Sequence, residues 1–188
     1  MLNLSEVLVQ PVRPLEQQRF QKLMQEHHYL GALPKISETL WYVATFGDQW
    51  VALLSFSAAA LKCSARDRWI GWNFRYQYDR LKLVTNNSRF LILAKIRNLA
   101  STLLGSVLGR LPNDWRSQYG VDPYLVETFV DSKRFYGGCY RASNFIMLGQ
   151  TSGRGRMDRN HQRHGAQVKT VMVYPLIKNA RLRLTEAG

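Results

Sequence analysis

Three carboxylates, Asp67, Glu127 and Asp131, are the residues best suited to metal-assisted chemistry on a phosphodiester. Hard oxygen ligands suit magnesium, and two or three of them converging would make a strand-cutting site. Their neighbours offer a plainer use. Asp67 sits in Arg66-Asp67-Arg68-Trp69, where flanking cations hold it as a structural partner. Glu127 and Asp131 fall in the middle and at the end of one strand-like run. Salt-bridged or capping carboxylates are the commoner outcome, so no metal ligand is assigned. His161-Gln162-Arg163-His164 sets two imidazoles three apart, but the arginines around them would repel a cation. That segment reads better as a surface for phosphate. There is no P-loop, no dinucleotide-binding glycine fingerprint and no Ser-His-Asp spacing.

The most informative stretch runs from Glu127 to Lys169. A strand leads into Gly137-Gly138-Cys139-Tyr140-Arg141-Ala142-Ser143-Asn144, and then into a nearly apolar-free basic segment at about 152–169. Polar groups on a strand-and-turn scaffold beside a cationic, mobile arm present a site to a polyanion. Arg154, Arg156, Arg159, Arg163 and His164 are the expected backbone contacts. Arg66, Trp69, Trp72 and Arg89 would line the groove, with Glu127, Tyr140, Arg141 and Asn144 as its polar floor. Between Arg66 and Arg80 the aromatics Trp69, Trp72, Phe74, Tyr76 and Tyr78 interleave with arginines. That mixture suits stacking on unpaired bases, and equally the inward face of a strand.

Composition narrows the partners. The 188 residues carry a formal charge of +13, with 46% hydrophobic and 12% aromatic residues. This describes a folded domain, not a disordered basic tail, and one drawn to a polyanion. Nucleic acid is the expected partner, with DNA favoured. From Thr151 onward there are eight Lys/Arg against two acids, so the charge is concentrated and serves binding more than solubility. Cys63 and Cys139 make neither a disulfide framework nor a CxxC pair. No signal peptide and no apolar run near 20 residues is present, so the expectation is a cytoplasmic protein away from the membrane.

Elements must hold these residues in place. Pro14–Tyr29 reads as an amphipathic helix broken by Gly31 and Pro34, and Leu40–Phe56 as a hairpin turning at Gly47-Asp48. Arg89–Leu93 is a third strand. Ile96, Leu99, Leu103, Leu104, Val107, Leu108 and Leu111 recur at helical spacing until Pro112-Asn113-Asp114 ends the helix. Trp115–Asp122 is then a loop, Tyr124–Val130 a strand, Phe135–Asn144 a short helix, Phe145–Leu148 a short strand and Lys169–Pro175 the last strand. Asn86-Asn87-Ser88-Arg89, with Asn98 and Ser101, surrounds a strand-to-helix junction, where amides either hold a phosphate or are simply capped. The order predicts an α+β single domain over 1–188, a central mixed or antiparallel sheet flanked by helices.

Several blocks resemble the DruA family of the Druantia anti-phage system. They are His28-Tyr29-Leu30-Gly31, Ala65-Arg66-Asp67-Arg68-Trp69-Ile70-Gly71-Trp72, Asn86 to Leu93, Asn98 to Ser101, Asp114-Trp115, Glu127 to Asp131 and Gly138 to Asn144. The likeness spans residues 15–175 in order. It implies anti-phage defence or mobile-element biology, since relatives are also labelled transposase-associated, and partners from such a system. It implies no particular reaction or cofactor. The element order also resembles the GNAT acyltransferase fold, with Arg89–Leu93 as its central strand. That resemblance implies a donor held where the next helix begins, with Tyr140 near the position of a tyrosine acid. Ala94-Lys95-Ile96-Arg97-Asn98 stands in place of the usual glycine-containing loop. The leading expectation is a nucleic-acid-binding component of a defence or mobile-element system. The alternatives are a GNAT-like nucleotide- or base-modifying transferase using Tyr140 and Asn144, or a metal-dependent nuclease using Asp67 and Glu127 with Asp131.

Overall fold

The computed structural model describes residues 3–35, 37–153 and 167–186, and between the last two the backbone of 156–157 and 163–164. Its strands are β1 (Val7–Pro11), β2 (Thr39–Phe46), β3 (Gln49–Ala58), β4 (Val84–Ile92), β5 (Leu125–Val130), β6 (Ile146–Gln150), the short β7 (Arg156–Met157) and β8 (Arg163–His164), and β9 (Thr170–Pro175). Seven form one sheet in the order β1-β2-β3-β4-β5-β9-β6, while β7 and β8 pair with each other. Every neighbouring pair in the large sheet is antiparallel except β4 with β5. A parallel neighbour requires a crossover, and α4 (Leu99–Tyr119) supplies it.

Strand alternation sends successive side chains to opposite faces, and each face receives its own helices. On one face Tyr42, Leu54, Phe56, Val126 and Met172 pack on Leu104, Val107, Leu108, Leu111 and Trp115 of α4. On the other, Trp41, Val43, Leu53 and Leu91 receive Phe20 and Met24 of α1 (Gln17–His27), with Phe20 stacked on Trp41 at 4.7 Å. Farther along that face α2 (Ser64–Ile70), α3 (Phe74–Arg80) and α6 (Ala180–Thr185) cover Val84, Leu125 and Val173 with Ile70, Trp72 and Leu184. Each such side chain removed from water contributes about 1.5–3 kcal/mol before ordering costs. The result is a single domain with a mixed sheet between helical layers. Among the described residues no helix is long and apolar enough to cross a membrane.

Four expectations need correction. Pro112 does not end the long helix; it lies inside α4, which runs on to Tyr119 and stops at Gly120 in the left-handed region, φ 67°. Proline costs one backbone bond, but Leu111 and Trp115 on either side are buried and hold the helix together. Asp114 is no helix stop either: it accepts from the Tyr42 hydroxyl at 3.0 Å and from Arg110 Nε at 2.6 Å. The third strand begins at Val84, so Asn86, Asn87 and Ser88 are strand residues and not a loop before it. Finally, the aromatic and basic stretch from Arg66 to Arg80 is two short helices, not a strand face, and β1 completes the sheet edge unannounced.

Candidate functional site

The sheet opens where its only parallel pair ends. β4 and β5 are in register through Val84–Leu125, Thr85–Val126 and Asn86–Glu127, and no farther. On its other side, β4 matches Ser55 to Arg89 and Phe56 to Asn87, leaving Ser88 as an extra residue. Such a bulge bends a strand, and here it accompanies the parting of β4 from β5. It also re-aims the side chains: Asn87 serves the α4 face and Arg89 the α1 face.

Asn87 is fully engaged at this opening. Its Nδ2 donates to the carbonyls of Ser55 (3.1 Å) and Arg89 (3.2 Å), and its Oδ1 accepts from the Tyr140 hydroxyl at 2.6 Å. Thr128 Oγ1, from β5, donates to the Asn87 carbonyl at 3.2 Å. Tyr140 belongs to α5 (Gly138–Ala142), a single turn entered through Gly137 at φ 64°. Its ring is held edge-on by Phe145 at 5.1 Å and Phe90 at 6.4 Å. Asn144, at φ 64°, makes the left-handed turn that lets Phe145 dive under the ring. Burial raises the Tyr140 pKa far above that of a free phenol, so the hydroxyl keeps its proton at neutral pH.

A second polar group lies on the other face of the same opening. Arg89 Nε donates to the Gly31 carbonyl at 3.0 Å and Nη1 to the Ser88 carbonyl at 2.8 Å. His28 Nδ1 accepts from the Leu30 amide at 3.1 Å; burial and then the Arg89 charge push its pKa down to about 4. Tyr29 stacks on His28 at 4.9 Å, tilts against Phe135 at 5.4 Å and lies under Arg134 at 5.1 Å. Burial, and next the Asp131 charge, raise the Tyr29 pKa. Asp131 ends β5 almost wholly buried. Its Oδ1 accepts from the Lys133 amide at 3.1 Å, but among the described residues nothing donates a hydrogen bond to Oδ2, with Arg134 Nε 3.5 Å away. A buried carboxylate oxygen with spare accepting capacity is uncommon in a folded protein.

Beside Tyr140, on its own face, runs an open groove of about 530 Å³. It is lined by Lys95, Ile96, Arg97 and Asn98, by the first turn of α4, and by Gly138, Cys139 and Ala142. Asn98 takes φ 61° and makes no side-chain cap, so the positive end of a 21-residue helix faces the groove. Lys95 and Arg97 are both exposed there.

The expected site residues divide sharply. Arg66, Asp67, Glu127 and Trp72 do meet, but as a sealed network. Arg66 Nη1 lies 2.6 Å from Glu127 Oε2 and its Nη2 2.8 Å from Asp67 Oδ1, with both Arg66 and Glu127 side chains 0% exposed. The Ala60 amide donates to Glu127 at 2.7 Å, and Trp72 Nε1 and Gln77 Nε2 donate to Asp67 at 3.3 and 3.2 Å. Burial raises the Glu127 pKa. It works against the Arg66 charge too, yet the two carboxylates outweigh it and raise the Arg66 pKa. The Arg66 charge is shared between the two carboxylates and locks α2 to β5. Glu127 and Arg66 are wholly buried, Trp72 nearly so and Asp67 only partly, so these four expected site residues are found as one polar network that joins α2 to β5. Asp131 stands apart, and among the described residues no three His, Cys, Asp or Glu side chains could hold a metal ion. Trp69 is half-buried beneath Arg181, 5.7 Å from its ring, while Arg141 and Asn144 are exposed near α5. Arg154 and Arg159 lie outside the described residues, and of Arg156, Arg163 and His164 only the backbone is described.

Sequence reading missed the pairing of Asn87 with Tyr140 and the grouping of Tyr29 and Asp131 with Arg89. The only available signal was the asparagine pair in an otherwise β-forming run, because polar residues inside a strand need a reason to be there.

The arrangement has known counterparts in shape. The fold superposes on the spermidine/spermine N-acetyltransferase SpeG of Vibrio cholerae, with 97% of this chain and 99% of that one covered, a TM-score of 0.55 and 9% identity. An acetyltransferase of the GNAT family from Streptococcus pneumoniae gives 90% and 99% coverage, a TM-score of 0.56 and 12% identity. AAC(6')-Ib in complex with ribostamycin and coenzyme A gives 97% and 99%, again with a TM-score of 0.56 and 12% identity. Identities this low establish the GNAT fold and nothing more. No curated protein matches the sequence. The sequence pattern described as Druantia protein DruA matches residues 3–162, the segment holding both faces of the opening and the groove, and the chain therefore belongs to the DruA family.

Proposed function

We propose that this DruA protein acts in anti-phage defence as a GNAT-type transferase, moving a group from a phosphorylated donor to a nucleotide or base. One observation carries the reading: the enclosed Tyr140 hydroxyl stands at the opening between β4 and β5, beside the basic groove. The fold suggests acyl-coenzyme A as donor, and the chain's residues fit its diphosphate. Lys95 and Arg97 supply positive charge, and the uncapped start of α4 supplies amides. Bound there, the thioester would supply an activated acyl group.

The chain's own groups have complementary tasks. Tyr140, kept protonated by burial, is no base, and would act as an acid by turning its hydroxyl from Asn87 toward the donor. Asn87 fixes the direction of that hydroxyl. Asp131 Oδ2 can accept a hydrogen bond from an amino group on the opposite face, where Arg89, Arg134 and Lys169 add positive charge for a phosphate. Purified protein with acetyl-coenzyme A and oligonucleotides, followed by mass spectrometry, should give an acylated product. Tyr140→Phe should lower the rate by about a hundredfold or more while leaving coenzyme A binding by calorimetry unchanged. Wild-type turnover in that variant, or no coenzyme A binding by the wild type, would sink the reading.

The charge of +13 favours a second reading, a nucleic-acid-holding component without chemistry of its own. It calls for tight binding that weakens steeply with salt while the nucleic acid stays chemically unchanged.

A further inference from the structure

Helix α3 presents two faces of opposite character. Inward, Tyr76 packs on the Ile70 and Trp72 cluster, and Gln77 Nε2 donates to the Leu61 carbonyl at 3.0 Å as well as to Asp67. Asn73 caps the helix by accepting from the Tyr76 amide at 3.0 Å, and Arg80 Nη1 donates to the Arg183 carbonyl, tying α3 to α6. The orientation is therefore fixed. Outward, Phe74 and Tyr78, one helical turn apart, are each 79% exposed. A single exposed ring is ordinary, but two on one stripe of a rigid helix are not.

The charge on α3 and on the elements that adjoin it points to the occupant. Arg68, Arg75, Lys82, Lys178, Arg181 and Arg183 are exposed on α2, α3, α6 and their flanks, against only Asp79 and Glu186. A collar this basic disfavours an apolar protein surface, which would strand the cations, and favours a polyanion with flat apolar rings. Duplex DNA hides its base faces in the stack; an unpaired strand exposes them. We propose that the outer face of α3, with the adjoining part of α6, seats single-stranded nucleic acid, bases stacking on Phe74 and Tyr78 while phosphates meet Arg75, Lys82, Arg181 and Arg183. This face lies on the same side of the sheet as Arg89 and Asp131, so the strand is carried on the side where the acceptor is expected. The inference deepens the transferase reading and rests on it for its purpose, but is tested apart from it.

The test is fluorescence anisotropy of a labelled oligodeoxythymidylate, with an abasic oligomer of equal length as the charge-only probe. The Phe74→Ala/Tyr78→Ala double variant should bind the oligodeoxythymidylate about tenfold or more weakly, because each lost base stack is worth a factor of this order. Phe74→Tyr/Tyr78→Phe, which keeps both rings, should bind like the wild type. The abasic oligomer should bind wild type and the alanine variant alike. The proposal is overturned if the alanine variant binds oligodeoxythymidylate at wild-type strength, if the abasic oligomer binds the wild type equally well, or if the wild type binds neither. Calorimetry with coenzyme A on the same samples separates the two claims. Its absence in the wild type counts against the transferase reading alone, and its retention in the alanine variant shows the fold intact.

Discussion

Arg66 holds two carboxylates at once, and that decides what both can do. With Glu127 buried on one side and Asp67 on the other, removing either partner leaves charge in a medium that cannot solvate it. Glu127→Ala should cost about 3–5 kcal/mol of unfolding free energy by urea denaturation, whereas Arg66→Met/Glu127→Leu, which removes the two wholly buried charges and leaves only the partly exposed Asp67, should cost less than Glu127→Ala alone. A double variant less stable than Glu127→Ala would mean the network is not the lock described. His28 makes a titration prediction. Unfolded, it takes up a proton near its ordinary 6.5; folded, only near about 4. Between those values the unfolded state binds more protons, so stability present above pH 6.5 is lost as pH falls toward 4. Thermal melts across that window should show the decline, and His28→Gln should flatten it.

At the scale of elements, the legible parts were those whose pattern is set locally. The hairpin at Gly47 and the strand from Leu125 are apolar runs bounded by turn residues, and α4 repeats its leucines at helical spacing, so each is readable from its own segment. What stayed hidden depends on contacts between distant segments. Pro112 looked like a stop because proline disfavours helix interiors; only the burial of Leu111 and Trp115 against the sheet reverses that. The aromatic alternation from Trp69 to Tyr78 looked as much like a strand as a surface, and helix formation split it between inward Tyr76 and outward Phe74 and Tyr78. The site fared the same way. Tyr140 and Arg89 were recognisable as polar residues in unusual settings, but the joining of Asp67 and Glu127 in one ion-pair network was not. Nothing in their spacing reveals that Arg66 is the partner of both Asp67 and Glu127.

For the molecule as a whole, the two sides of the sheet have different characters. The α4 side offers a groove with a helix terminus and two exposed cations; the α1 side offers Arg89, Asp131 and, farther along, the ringed face of α3. A donor and a polymeric acceptor could therefore approach from opposite directions and meet only at the opening. The same opening has a mechanical meaning. Strands β1 to β4 and strands β5, β9 and β6 are joined within the sheet by three matched residue pairs, so the sheet is two leaves with a short seam. Amides of β5 and β9 should then exchange with deuterium as one cooperative group, at a rate distinct from those of β2 and β3. A ligand lodged between the leaves should slow the first group toward the second, making protection from exchange a direct gauge of whether anything binds there.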